Sequence, residues 1–101
     1  SDCNDIGVLQ YYRIAANKSQ AGARALLGGV DLDLICADPA SSDEAGSYLQ
    51  LQDAITNGWI SEATLNQSAA RVLAGKFAVG LFDGNAFVND TNAWKKVVNT
   101  P

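Results

Sequence analysis

The stretch Arg71-Val-Leu-Ala-Gly-Lys-Phe-Ala-Val-Gly-Leu-Phe-Asp83 closes the longest amphipathic segment of the chain and decides how the sequence is interpreted. Its apolar residues recur at helical spacing and form one face, made of Val72, Leu73, Phe77 and Ala78. Gly80 is expected to end the helix, because glycine adopts the left-handed conformation of a helix terminus without steric penalty. A Leu-Phe-Asp-Gly corner follows. The pattern predicts one long helix that runs to about Val79.

The residues around Ser61 predict how this helix begins. We expect the Ser61 hydroxyl to cap it by accepting a backbone N–H, with Glu62 at the positive end of the helix dipole. Ile60 stands where a residue packs against Leu65 as a hydrophobic staple.

An alanine-rich helix is predicted upstream, over residues 21–27. Either Asn17 or Ser19 is expected to cap its beginning, and Gly28-Gly29 is expected to end it. Its inward stripe at helical spacing consists of Ala21, Ala25 and Leu26.

A further helix is predicted over about residues 45–57, ending at Gly58. Leu49, Ala54 and Ile55 are expected to point inward.

The stretch Val30-Asp-Leu-Asp-Leu-Ile35 alternates apolar and acidic residues, which predicts a short strand. A helix, a Gly-Gly stop and a strand in this order are typical of a parallel sheet in an α/β protein. Residues 36–45 read as a polar loop, and residues 1–16 as the exit of a strand followed by an irregular loop. The predicted fold class is therefore α/β, rich in helix, with two short parallel strands.

The composition excludes several classes of protein. The chain has 101 residues, 48% of them hydrophobic, which allows one globular domain at most. A net charge of -4 without clustered Lys or Arg argues against nucleic acid as a partner. No apolar run is long enough to span a membrane. Because the chain has no His, catalysis would have to use carboxylates or hydroxyls, and a His-based zinc site is excluded.

The order of several short motifs resembles the family 3 glycoside hydrolases, the β-glucosidase and β-xylosidase group. In that family a strand ends in Ser-Asp-Cys or Ser-Asp-Trp, and a characteristic run from Arg to Gly-Leu-Phe-Asp ends the catalytic barrel. The matching pieces here, in chain order, are Ser1-Asp2-Cys3, Ala21 to Leu27, Gly29-Val30-Asp31, Leu51-Gln-Asp-Ala54 with Gly58 to Glu62, and Arg71 to Asp83.

This resemblance implies that the chain is a fragment of a TIM (β/α)8 barrel, namely its last two βα units. Residues 1–83 would be the C-terminal portion of the barrel domain, and residues 84–101 a linker toward a second domain outside the chain. Two strands cannot close a barrel. The isolated chain is therefore expected to be inactive and either marginally stable or associated.

The resemblance also implies a mechanism. Asp2 would be the catalytic nucleophile of a retaining exo-acting β-glycosidase, and it would form a covalent glycosyl-enzyme with a β-glucoside or β-xyloside. The acid/base carboxyl group would lie beyond Pro101, outside this chain. No cofactor and no metal ion are expected, and the substrate would be a β-linked oligosaccharide or glycoside.

Other residues are weaker candidates. Cys3, Tyr11 and Tyr12 are candidate substrate-binding residues, and Cys3 and Cys36 either form a disulfide or remain free thiols. Asp31 and Asp33, two residues apart, could hold a metal ion or a sugar hydroxyl, or only bond to neighbouring polar groups. The glycosylation sequons begin at Asn17, Asn66 and Asn89, and they are compatible with a secreted, extracellular glycoprotein.

The alternative interpretation belongs to a different class of protein. The chain would then be a small non-catalytic helical interaction module, in which Asp2 only caps a helix or turn.

Overall fold

The computed structural model describes residue 2 and residues 5–34, 46–84 and 92–98. Within these ranges α2 is central, because it contacts α1, η1, α3 and α4. In chain order the α-helices and 3-10 helices (η) are α1 (Asp5–Tyr11), α2 (Lys18–Leu27), η1 (Ser47–Gln50), α3 (Leu51–Thr56), α4 (Glu62–Ala78) and η2 (Ala93–Lys96).

The described residues form a helical structure without a strand or sheet, so the prediction of an α/β barrel fragment with two parallel strands is wrong. Residues 30–33, in the described part of the expected strand, belong to no helix and no strand, and Leu34 forms a single isolated bridge. A strand needs continuous pairing of its backbone N–H and C=O groups with a neighbour. The carboxylates of Asp31 and Asp33 bond to α4 and η1, while Leu32 and Leu34 are exposed.

The expectation of an irregular loop over residues 1–16 is also wrong, because α1 occupies Asp5–Tyr11. The Asp5 carboxylate accepts a hydrogen bond from the backbone N–H of Asp2 at 2.9 Å, which ties the chain to the start of the helix. At the other end Arg13 adopts a positive φ of 59°. A non-glycine residue rarely takes this conformation, so the sequence carries no glycine signal for the end of α1.

The stops predicted for the other helices are confirmed. Gly29, the residue after the α2 cap, has a φ of 88°, and the N–H of Val30 donates to the carbonyl of Ala25 at 3.0 Å. This is the Schellman arrangement, in which the turn after a helix satisfies its last carbonyl groups. Gly58 and Gly80 have a φ of 69° each at the ends of α3 and α4, where equivalent bonds join Trp59 to Ala54 and Leu81 to Lys76.

The helix predicted over residues 45–57 is present only in part. η1 and α3 share the stretch Ser47–Thr56, and Gly58 follows the end of α3 as expected. Ala54 is fully buried, whereas Leu49 is 70% exposed, which contradicts its predicted inward position. The 3-10 winding of η1 explains the difference, because a tighter helix turns its side chains away from the positions that an α-helix would give them.

The core consists of two clusters on either side of α2. Towards α3 the buried residues are Ala23, Leu26, Leu51, Ala54 and Ile60. Towards α1 they are Ile6, Ala15, Ala21 and Ala25. The stripe predicted on α2 is thus confirmed, and the Asn17 carboxamide, not Ser19, caps the helix by accepting from the N–H of Gln20 at 2.8 Å.

Close packing of α2 against η1 depends on Gly22. A Cβ atom at this position would lie 2.8 Å from the backbone carbonyl oxygen of Ser47. The neighbouring hydroxyl of Ser19 is buried and donates to the carbonyl of Gln50 at 3.0 Å, which fixes the same contact. The absence of a side chain at Gly22 therefore allows the two segments to meet.

The long helix α4 begins and ends as the sequence predicts. The Ser61 hydroxyl accepts from the N–H of Thr64 at 3.2 Å, and Ile60 and Leu65 pack in the same cluster. Ser68 is the buried residue of α4. The apolar face through Leu73 and Phe77 is largely exposed, and none of the described helices is long and apolar enough to cross a membrane.

We expect Gly22→Ala and Gly75→Ala to change stability in opposite directions. An alanine Cβ at residue 22 meets the Ser47 carbonyl, and relief of this overlap is expected to lower the free energy of unfolding by about 1–2 kcal/mol after the gain in helix propensity. Gly75 has open space around it, so Gly75→Ala is expected to raise that free energy by about 0.5–1 kcal/mol. Urea denaturation followed by circular dichroism measures both. Equal effects of the two substitutions would contradict the close contact at Gly22.

Candidate functional site

The polar centre of the described structure is a bidentate ion pair between Asp31 and Arg71. The Arg71 Nε donates to Asp31 Oδ2 at 2.8 Å, and Nη2 donates to Oδ1 at 2.6 Å. The Ser68 hydroxyl, one turn earlier on α4, also donates to Oδ1 at 2.8 Å. Planar two-point contacts of this kind are the strongest form of the Arg–carboxylate interaction. The segment after α2 is thereby attached to α4.

These donors favour the charged form of the carboxylate. The hydrogen bonds from Arg71, and then the one from Ser68, lower the pKa of Asp31 to about 2. The same contact with Asp31 raises the pKa of the Arg71 guanidinium above its ordinary value. Both groups are therefore charged at neutral pH, and the carboxylate has no proton to donate in a reaction.

The second carboxylate of the segment is also engaged. Asp33 Oδ2 accepts from the backbone N–H of Tyr48 at 3.0 Å, at the start of η1. The Tyr48 hydroxyl donates to the carbonyl of Val30. Burial, and then the charges of Asp33 and Asp31, raise the pKa of Tyr48 to about 12. The phenol therefore stays protonated and acts as a donor to the backbone.

The hypothesis that Asp31 and Asp33 hold a metal ion or a sugar hydroxyl gains no support from these contacts. Each carboxylate accepts hydrogen bonds from protein donors, as a structural role requires. Across the part of the chain that the structure describes, three or more potential metal-binding carboxylates, thiols or imidazoles never lie close together.

Asp2, the predicted nucleophile, lies on the surface at the N-terminal end of α1. Its backbone N–H donates to the Asp5 carboxylate, and its carbonyl accepts from the N–H of Asp5 at 3.4 Å. Asp5 therefore acts as a cap that fixes the backbone of Asp2.

Tyr11 and Tyr12 form an exposed aromatic pair at the opposite end of α1. Their rings meet edge to face with centroids 5.4 Å apart and planes at 74°. They are 82% and 67% exposed, far more than a packing role would require. Because α1 rises about 1.5 Å per residue, its seven residues place Tyr11 roughly 9 Å along the helix axis from Asp5.

The structure describes only some of the other predicted site residues. Cys3, Cys36 and Asn89 lie outside the described residues. Asn17 and Asn66 are exposed, on the α2 cap and on α4. The serine hydroxyl of each of their sequons is buried and bonded, that of Ser19 to Gln50 and that of Ser68 to Asp31.

Sequence reasoning missed the pairing of Asp31 with Arg71. Two signals were present: Arg71 within the apolar run of residues 69–74, and Ser68 three residues before it, on the same helix face. The sequence does not show the path of residues 28–34, and this path decides where the Asp31 carboxylate lies.

Comparison with known proteins shows similarity to part of two glycosidases. The chain is 33% identical over 94 residues to a beta-xylosidase of Formosa agariphila, a match that covers 90% of this chain and 13% of that protein. It is 34% identical over 84 residues to a putative beta-xylosidase of the same organism, covering 82% of the chain and 10% of the relative. The chain thus spans about an eighth or less of the length of these relatives.

No family model matches the chain. No solved structure matches it either. The comparisons therefore support a region that is similar to part of a glycosidase, in agreement with the coarse part of the resemblance drawn from the motifs.

We expect the ion pair to make stability depend on pH in the acid range. The pKa of Asp31 is about 2 in the folded chain and about 3.9 in an unfolded one, so folding favours the ionised form. The contribution of Asp31 is then complete above about pH 4 and is lost as the pH falls towards 2. Thermal unfolding between about pH 2 and 6 measures it.

Asp31→Asn is the informative variant for this measurement, because it removes the titrating group and should flatten the acid limb of the stability curve. Asp53→Asn is the control, since Asp53 is an exposed carboxylate of α3 that does not contact Arg71. If Asp31→Asn left the acid limb as steep as in the unchanged chain, the contribution assigned to the ion pair would be wrong.

Proposed function

We propose that this chain is a region of a retaining glycoside hydrolase of the β-xylosidase type, with membership of glycoside hydrolase family 3 as part of the proposal. The observation that carries it is the similarity to a beta-xylosidase over 90% of the chain. The motif order supports it independently, because the pieces in question are spread from residue 1 to residue 83.

Two of the motifs on which the resemblance depends contact each other directly in the structure. Gly29-Val30-Asp31 and the run that begins at Arg71 are separate pieces of the resemblance, 40 residues apart in the chain. They meet in the bidentate pair between Asp31 and Arg71. Gly29 supplies the positive φ that turns the chain after α2 towards this contact. These residues are thus assigned a structural role and not a chemical one.

The chemistry is assigned to Asp2. Its carboxylate would attack the anomeric carbon and form a glycosyl ester, while the bond to the leaving-group oxygen breaks and a separate carboxylic acid protonates that oxygen. That residue then removes a proton from water, which attacks the ester and releases the sugar with retained configuration. The surface position of Asp2 leaves room for a substrate. The acid/base would come from residues beyond Pro101.

The substrate proposed is a β-linked xyloside or related oligosaccharide. Tyr11 and Tyr12 expose aromatic rings at the end of α1 opposite to Asp2, where a sugar unit beyond the cleaved bond could stack on them. Cys3, next to Asp2 in sequence, stays a candidate contact with the sugar. Residues 84–101 stay predicted as a linker to a further domain.

Export of the parent protein is part of the same proposal. The sequons at Asn17 and Asn66 present exposed asparagines, as glycosylation requires. A disulfide between Cys3 and Cys36 would suit an extracellular protein, and free thiols in the denatured chain would contradict it.

A second candidate is a non-catalytic helical interaction module. Two observations favour it: the described residues are helical without a sheet, and the end of α4 exposes large apolar side chains. In this case the bonds between Asp2 and Asp5 serve only to begin α1.

A mechanism-based inhibitor separates the two candidates. We expect a 2-deoxy-2-fluoro-β-xyloside with a good leaving group to label Asp2 in a longer polypeptide that contains this region, because the fluorine slows hydrolysis of the glycosyl ester. Peptide mass spectrometry locates the label. The isolated 101-residue chain is expected to give no turnover of an aryl β-xyloside.

Asp2→Ala should abolish both labelling and turnover of the longer polypeptide. Asp5→Ala is the matched control, because it removes the neighbouring carboxylate that caps α1 and should leave labelling at Asp2 detectable. Label on a different residue, or full velocity after Asp2→Ala, would refute the assignment and leave the interaction module as the better candidate.

A further inference from the structure

The two glycosylation sequons within the described residues share one feature: the asparagine is exposed, but the serine two residues later is buried. Asn17 and Asn66 both lie at the surface. Ser19 is 5% exposed and Ser68 3%. In a surface loop the two polar side chains of a sequon are accessible together. In this structure the fold separates them.

The sequon at Asn17 is built into the beginning of α2. The Asn17 side chain accepts from the N–H of Gln20 at 2.8 Å, and the Gln20 carboxamide accepts from the N–H of Ala16 at 2.7 Å. The Ser19 hydroxyl donates to the carbonyl of Gln50, at the end of η1, at 3.0 Å. This hydroxyl therefore becomes accessible only when α2 and η1 separate.

The sequon at Asn66 is closed by a different contact. Asn66 and Ser68 lie in the second turn of α4, where residues two apart do not face the same side. The Ser68 hydroxyl donates to Asp31 Oδ1 at 2.8 Å, and Arg71 holds the same carboxylate through two hydrogen bonds. The Ser68 hydroxyl therefore becomes accessible only when the segment after α2 leaves α4.

N-linked glycosylation needs both polar groups of the sequon at once. The sugar donor is an oligosaccharide joined to a lipid through pyrophosphate. The asparagine Nδ2 attacks C1 of the first sugar, the bond from C1 to the pyrophosphate oxygen breaks, and the amide nitrogen loses a proton. The transferase recognises the hydroxyl two residues after the asparagine, which is why the triplet requires Ser or Thr. A sequon whose hydroxyl is bonded inside the fold is therefore not a substrate.

The sugar, once attached, is compatible with the fold at both positions. At Asn17 the carboxamide oxygen makes the cap, so a sugar on Nδ2 leaves that hydrogen bond in place. At Asn66 the residue is exposed on α4, so a sugar extends into solvent. Further parts of a longer protein, packed on the same fold, can only bury the two serines more deeply.

We propose that Asn17 and Asn66 are glycosylation sites that accept a sugar only before this region folds. The order is one-way, because a modified chain can still fold whereas a folded chain cannot be modified. Each site has its own closing contact, Ser19 with Gln50 and Ser68 with Asp31. The inference rests on the glycosylation that the proposed function includes, but its test requires neither glycosidase activity nor export, so the two can fail separately.

The test is the rate of glycosylation by a purified single-subunit oligosaccharyltransferase with a lipid-linked oligosaccharide. The acceptors are the folded 101-residue chain and two peptides, residues 13–23 and 62–72, which are too short to hold a helix. We expect the chain to react at least about tenfold more slowly at each site than the matching peptide, because only the open fraction of molecules reacts. Peptide mass spectrometry measures each site, and circular dichroism records helix content. Equal rates in chain and peptides, or peptides that accept no sugar, would overturn the proposal.

The stability of the fold should set the rate at both sites. Gly22→Ala, whose Cβ would lie 2.8 Å from the Ser47 carbonyl oxygen, should raise both rates roughly five- to thirtyfold, with the peptide rate as the upper limit. Gly75→Ala should lower both about two- to fivefold. Neither substitution changes a residue of the two sequons, so the acceptor triplets stay the same. Rates that respond to neither substitution would contradict the proposal.

Asp31→Ala tests the contact that closes the sequon at Asn66. Loss of the carboxylate releases the Ser68 hydroxyl, so glycosylation of Asn66 should rise at least about threefold more than that of Asn17. Asp53→Ala is the matched control, because Asp53 is an exposed carboxylate of α3, and it should leave both rates within about twofold of the unchanged chain. A rise at Asn17 that equals or exceeds the rise at Asn66 would refute separate closing contacts.

Discussion

The bidentate contact between Asp31 and Arg71 joins the segment after α2 to α4 and fixes where that segment lies. α4 is the longest helix, yet Ser68 is its buried residue, and the Ser68 hydroxyl bonds to the same carboxylate. Apolar packing of α4 on the core is limited to its beginning, around Leu65. The contact with Asp31 therefore adds to the apolar packing of Leu65 in holding α4.

This contact explains why the Asp side chains of residues 30–34 face the protein while the Leu side chains face solvent. In most segments the apolar side chains are the ones that face inward. Both carboxylates face helices, because Arg71 and the N–H of Tyr48 are there to bind them. Leu32 and Leu34 then point to the surface. Apolar surface thus remains exposed at the segment and along α4.

The candidate catalytic residue stands apart from this polar centre. The Asp2 backbone is held by Asp5 at one end of α1, and the tyrosine pair lies at the other. The structural residues and the proposed chemical residue thus occupy different elements. This division agrees with a region that supplies one carboxylate to a site completed by other parts of a longer enzyme.

Local signals in the sequence determined the ends of α2 and α4, the cap of α4 at Ser61, Asn17 as one of two candidate caps of α2, and the glycine stops after α2, α3 and α4. Each depends on the backbone preferences of one or two residues, which act without knowledge of the rest of the chain. α1 was not predicted from the sequence, because the residue with positive φ that follows it is Arg13 and not a glycine. The fold class and the partner of Asp31 were decided by tertiary structure alone, since an alternating segment becomes a strand only where a neighbouring strand pairs with it, and the path of the chain after α2 decides which donors the Asp31 carboxylate reaches.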